Sequence, residues 1–165
     1  MPFIHCCAIV AVYLVQTLIK NKMEAKKFRI GNLLTWKDQE DEGKAILTLT
    51  GIVLGDCIWL EWEWEDGESD NTDCDLDSIK GISITEDWLI NFGFQNYHCW
   101  EYRWVTGGLQ LIETNGYWYP AVFSHPEMSH EDDQCVSLNR IKYVHELQNL
   151  FFAITGKELE LKELV

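Results

Sequence analysis

The sequence predicts an α+β fold: an antiparallel β-sheet of five to seven strands, a short helix over 86–92, and a long C-terminal helix over 141–155 packed on one face. Three observations predict it. Short runs rich in aromatic and β-branched residues alternate apolar with polar, above all at 57–65 and 97–105. Gly, Asn and Asp punctuate these runs. The last apolar segment changes period, with Ile141, Val144, Leu147, Phe151 and Ile154 at three- and four-residue steps.

Length and composition suit one domain with a real core, 165 residues of which 47% are hydrophobic. That domain is expected over 23–165, after an apolar extension at 1–22. Charge narrows function further. Asp and Glu number 27 against 13 Lys and Arg, a net charge of −14. Such a surface repels a phosphate backbone, so direct nucleic-acid binding is not expected. It suits solubility and a basic protein partner. The six cysteines form no C-x-x-C pair and read as reduced, mostly buried thiols of a cytoplasmic chain.

Residues 3–19, FIHCCAIVAVYLVQTLI, are apolar except for His5, Gln16 and Thr17, and Lys20, Lys22, Lys26 and Lys27 follow. Three readings stand open: a minimal membrane anchor, a signal peptide without its basic start, or a buried helix or over-extended start before Met23. Gly31-Asn32 then separates two short extended pieces, 28–30 and 33–36. Residues 37–43 read as a solvated turn. Over 44–54, Leu47, Leu49 and Ile52 share one face and Ile46, Thr48 and Thr50 the other.

Over 57–65, Ile58, Leu60, Trp62 and Trp64 point to the core. Trp59, Glu61, Glu63 and Glu65 line the other face, which reads either as a solvated sheet surface or as an edge kept from aggregating by charge. Residues 66–80 read as a flexible acidic loop. Asp73, Asp75 and Asp77 resemble the start of an EF-hand loop, but Ser78 stands at its glycine position and Ile84 at its bidentate glutamate. Thr85 suits an N-cap before Glu86 and Asp87; Trp88, Leu89 and Phe92 face inward, and Gly93 stops the helix.

Residues 97–105 read as one strand, with His98, Trp100, Tyr102 and Trp104 on one face and Tyr97, Cys99, Glu101 and Arg103 on the other. Gly107-Gly108 leads into a strand at 109–113, and Asn115-Gly116 signals a hairpin. Pro120 marks 117–123 as an edge strand. A polar loop at 124–134 and a short strand at 135–138 precede the final helix, whose apolar face Tyr143, Leu150 and Phe152 widen. Gly156 suits its left-handed end and Lys157 its negative pole.

No catalytic constellation emerges. His125, Glu127, His130, Glu131, Asp132, Asp133 and Cys135 crowd one loop, but the H-x4-H-x4-C spacing matches no common zinc pattern. His145 reads as a satisfied interfacial histidine. No phosphate-binding glycine motif occurs. The chain is therefore expected to be non-enzymatic, with no metal or cofactor. The candidate ligand-binding residues are aromatic: Trp100, Tyr102 and Trp104 from one strand, Tyr117 and Tyr119 from the neighbouring hairpin, and Arg103 as the cation. Such a set can hold a nucleobase and a phosphate. The plainer alternative is that the rings fill the core.

Three stretches carry a resemblance: FRIGNLL at 28–34, ISITEDWLINFGF at 82–94 and IKYVHELQNLFFAITGKEL at 141–159. In that order they resemble a family of small uncharacterised proteins of Bacteroides-type gut bacteria and their phages and prophages. Two features depart from it: residues 1–22 precede the usual start, and the insert at 55–80 is longer than expected. The resemblance implies a phage or mobile-element setting in a host bacterial cytoplasm, and no reaction. Small acidic phage proteins often inhibit bacterial immunity, an argument by association. The expectation is a protein that counters host defence by sequestering a small nucleotide-derived signal in an aromatic-lined pocket, which oligomerisation would complete. The alternative is an acidic inhibitor whose Glu61, Glu63 and Glu65 face and 66–77 loop occupy the basic channel of a defence nuclease.

Overall fold

The computed structural model describes residues 27–38, 45–53, 57–63, 67–98, 101–104, 108–123 and 135–162, with backbone alone at 97–98, 101–104 and 135. The apolar segment at 3–19, the acidic turn from 39 on, Trp64, Glu65, Trp100 and the loop at 124–134 lie outside them. The chain divides into two compact units after Lys80. The fold is α+β with mostly antiparallel strands. The described strands form two five-stranded sheets rather than one sheet of five to seven. No helix among the described residues is long and apolar enough to cross a membrane.

The first sheet takes β1 (Leu33–Trp36), β2 (Leu47–Ile52), β3 (Cys57–Glu63), β4 (Ser69–Asp75) and β5 (Ile79–Gly81), in the order β4-β3-β2-β1-β5. Directly opposed residues share a sheet face. Leu34 opposes Leu47, and Leu49 opposes Leu60. These four, with Ile58, Leu76 and Ile79, make the buried cluster. Trp62 is only half-buried and packs at the cluster's margin, edge-on to Trp36 with centroids 6.2 Å apart. Thr50 is the extra residue of a β-bulge between β2 and β3, which sets Ile52 opposite Ile58 and so on the apolar side.

Two expectations in this unit are corrected. The piece at 28–30 is not extended: Arg29 N–H donates to Asn32 Oδ1 at 2.8 Å and Asn32 N–H returns to the Arg29 carbonyl, closing a turn. Much of the acidic stretch at 66–80 is β4, paired to β3 in seven consecutive registers from Ser69↔Glu63 to Asp75↔Cys57. Asp and Asn are poor strand formers, but the ladder satisfies their backbone groups. Thr72 and Cys74 also supply the inward alternation that leads to buried Leu76.

The second sheet takes β6 (Gln95–His98), β7 (Glu101–Trp104), β8 (Leu109–Thr114), β9 (Tyr117–Phe123) and β10 (Cys135–Ser137), in the order β10-β9-β8-β7-β6. The expected single strand at 97–105 is a pair of antiparallel strands, with the chain reversing between His98 and Glu101. No glycine, proline or asparagine marks that reversal. Asn115 (φ 55°) and Gly116 (φ 74°) both take the left-handed conformation of the expected hairpin turn.

Pro120 does not lie on an edge, because β9 has β8 on one side and β10 on the other. Trp118 N–H donates to the Ile141 carbonyl, so the position two residues on points its absent donor to the same side. There the pairing slips. Ser137 opposes Ala121 and Ile141 opposes Trp118, leaving three residues facing two, and the missing N–H falls in this bulge.

Two helices complete the unit. In α1 (Glu86–Asn91), Thr85 Oγ1 accepts from Trp88 N–H at 3.4 Å, and Gly93 (φ 92°) ends the helix as Phe94 N–H reaches the Leu89 carbonyl. Leu89 and Phe92 are fully buried. The final helix, α2 (Val144–Thr155), starts three residues later than its apolar spacing suggests. Ile141 and Tyr143 are extended instead, bridging Trp118 and Ser83. Glu146 fixes the start, its Oε2 accepting from Lys142 N–H at 2.7 Å and Tyr143 N–H at 3.0 Å. Val144, Leu147 and Phe151 are buried, whereas Phe152 is exposed. Gly156 (φ 70°) closes the helix, and the tail then buries Leu159 and ties Lys162 N–H to the Asn91 carbonyl.

Two substitutions test this unit. The Tyr143 and His145 rings stack at 5.7 Å beside Gly81, where a Cβ would stand 2.7 Å from Tyr143 Cγ. Gly81→Ala should cost about 1–3 kcal/mol in urea unfolding through overpacking. Glu146→Ala should cost about 1 kcal/mol through two abandoned N–H donors, with Glu146→Gln recovering part of it.

Candidate functional site

The aromatic candidates divide between the two faces of the second sheet. Arg103 opposes Gln110 and Gln110 opposes Ala121, while Ile112 opposes Tyr119 and Thr114 opposes Tyr117. Arg103, Tyr117 and Tyr119 therefore occupy one face. Tyr102 opposes Leu111 and Trp104 opposes Leu109, positions of the other face, which β9 continues with Trp118 and Pro120. Leu109, Leu111 and Trp118 are buried there. Trp100 lies outside the described residues. The register thus keeps the six candidates from sharing one face.

Of the two described rings, Tyr119 is 40% exposed. Tyr117 is half-buried and lies under the Arg140 guanidinium, 4.2 Å from its ring centroid. Sequence spacing held no sign of Arg140, because the chain brings it back beside β9 only through the β10 ladder. His145 is buried at the first turn of α2 with its ring stacked on that of Tyr143.

The first sheet carries a different surface. Along the β3–β4 ladder, Trp59 opposes Asp73, Cys57 opposes Asp75, Glu61 opposes Asn71 and Glu63 opposes Ser69. These pairs alternate with Ile58↔Cys74 and Leu60↔Thr72, which turn to the buried cluster. The outward face therefore holds Glu61, Glu63, Asp73 and Asp75, all exposed. Each of these carboxylates stands directly opposite a neutral residue, which spares the sheet like-charge pairing at closest approach. Trp59, 45% exposed, sits among them.

Its partner across β2 is Gly51, where an added Cβ would stand 3.2 Å from Trp59 Cδ1. The Thr50 hydroxyl donates to the Trp59 carbonyl at 3.3 Å. On the other side, the Cys57 thiol donates to Asp73 Oδ2 at 3.7 Å. Among the described strands β4 is one of the sheet's two edges, and it leaves β3 inside the sheet rather than at an edge. Its own side chains occupy some of its backbone groups: Asp70 Oδ1 accepts from Asn71 N–H at 2.8 Å, and the Thr72 hydroxyl donates to the Asp73 carbonyl at 3.3 Å.

The thiols here are free and not primed for chemistry. Partial burial, then the carboxylates of Asp73 and Asp75, push the Cys57 thiol up from its ordinary value. Burial, then Cys57, Asp75 and Asp73, push Cys74 up as well. Asp73 and Asp75 lie on an extended strand rather than a coordinating loop, and no metal-competent group of three or more His, Cys, Asp or Glu occurs among the described residues.

No protein-family model, curated protein or solved structure matches the chain.

Three results would check this surface. Asn71→Asp places a carboxylate directly opposite Glu61 and should cost about 0.2–1 kcal/mol, less at high salt. The raised thiols should alkylate slowly at neutral pH. Their stabilisation is complete below the ordinary thiol range and is lost as pH climbs through their folded values. The native chain should therefore lose melting temperature faster than a Cys57→Ser, Cys74→Ser variant on that climb.

Proposed function

We propose that the chain is a non-enzymatic binding protein that engages a basic protein surface through the outward face of β3 and β4. The carrying observation is the register, which gathers Glu61, Glu63, Asp73 and Asp75 around exposed Trp59 on one sheet face. The net charge of −14 supports it, because it draws cationic partners and repels nucleic acid. In the phage setting that the resemblance implies, the partner would be the nucleic-acid channel of a host defence nuclease. There the acid spacing would stand in for a phosphate backbone.

The test is competition. The full chain should displace labelled DNA from a basic defence nuclease, with an inhibition constant that rises steeply with salt. At about 0.2–1 kcal/mol per exposed ion pair, a variant carrying Glu61→Gln, Glu63→Gln, Asp73→Asn and Asp75→Asn should be about tenfold weaker. An unchanged variant would sink the reading.

The second reading keeps a small nucleotide-derived signal as ligand, favoured by the face that Arg103, Tyr117 and exposed Tyr119 share. A ligand at a hundredfold over its Kd would add about 2.7 kcal/mol to stability. A nucleotide panel should then give a melting shift that Tyr119→Ala abolishes.

A further inference from the structure

We infer that the partner presents an arginine-rich segment and that one guanidinium of it seats on the indole of Trp59; this rests on the acidic-face reading above. Trp59 is the third residue of a seven-residue strand, with fully buried Ile58 and Leu60 on either side of it. Alternation would place a polar residue there as readily as its neighbour Glu61. An exposed indole instead leaves a large apolar ring in water unless something covers it.

The surroundings fix what can cover it. Gly51 has no side chain to compete for the space beside the ring, and at 3.2 Å from an added Cβ to Cδ1 even alanine would crowd it. Asp73 flanks the ring on β4, and Glu61 follows Trp59 on the same face of β3. Asp73 receives the Cys57 thiol on Oδ2. An aromatic ring bordered by carboxylates attracts a cation by its quadrupole and by charge together. A second copy of the chain is a poor occupant, since two bodies of net charge −14 repel.

Arginine fits better than lysine. Its guanidinium is planar and weakly hydrated, so it can stack on the indole while its edge donates to both carboxylates. An ammonium is compact and strongly hydrated, and loses more water on the same ring. Arg140 over Tyr117 is an arginine–ring pair of this kind within the chain itself.

The experiment compares dye-labelled oligo-arginine and oligo-lysine peptides of equal length and charge, titrated with the full chain at low salt. Oligo-arginine should bind about two- to fivefold tighter, the worth of one exposed cation–π contact. Trp59→Leu should bring the two affinities together while the salt dependence of both persists. Trp59→Phe should leave an intermediate ratio, and it carries the test alone if the Leu variant does not fold. Equal affinities in the wild type, or a ratio untouched by either variant, would overturn the arginine seat and leave the acidic face standing. Failure of both peptides to bind would overturn both. Binding of both peptides unaltered by the four carboxylate neutralisations would overturn the acidic face and remove the seat with it.

Discussion

The register of β3 between β2 and β4 is the constraint on which the first unit depends. Side chains alternate with a period of two, so a slip of one residue would exchange the faces of the whole strand. Ile58 and Leu60 would go to water, and Trp59 and Glu61 would be driven against Leu49 and its neighbours. Burying unpaired carboxylates costs several kcal/mol each, far more than the ladder hydrogen bonds could differ between registers. The apolar pair Leu49↔Leu60, with buried Ile58 beside it, therefore locks the acidic side as firmly as it locks the core. The bulge at Thr50 returns Ile52 to the side of Ile58 after Gly51, although Ile52 itself stays exposed at the strand's end.

The same register has an electrostatic consequence. A face with this many acids would repel itself badly if carboxylates stood directly across the ladder. They do not, since Glu61 and Glu63 meet Asn71 and Ser69, and Asp73 and Asp75 meet Trp59 and Cys57. The negative potential is thus spread over the face at diagonal spacings, where solvent screens it. Asp70 and Thr72 meanwhile occupy backbone groups at the outer strand, which makes it a poor template for another strand.

In the second unit the corresponding role falls to Trp118 on β9. Its indole N–H donates to the Ile84 carbonyl at 3.3 Å, and its backbone pairs with Ile141. One buried residue thus joins the hairpin to the lead-ins of both helices. The last helix reads as fifteen periodic residues but loses its first turn to this pairing, because extended Ile141 and Tyr143 satisfy strand partners that a helix would leave empty. The candidate aromatic site parts for a related reason. Tyr102, Trp104, Tyr117 and Tyr119 look alike in sequence, and only direct opposition to Leu111, Leu109, Thr114 and Ile112 assigns them to opposite faces.

The sequence by itself determined whatever rests on local chemistry. Thr85 and Gly93 bounded α1, Asn115-Gly116 made the hairpin turn, Gly156 ended α2, and the alternation of 57–63 named both the core face and the acidic face. Each of these follows from one or two residues and a fixed period. Tertiary structure decided what depends on a distant partner. The residues at 69–75 became a strand because β3 offered them a ladder, against their own propensity. Pro120 stayed inside a sheet because a bulge lay beside it, and Arg140 met Tyr117 because β10 carried the chain back along β9. Hydrogen bonds and ring contacts made across such sequence distances leave no periodic trace in the chain, since their free energy arises only once both sides are in place.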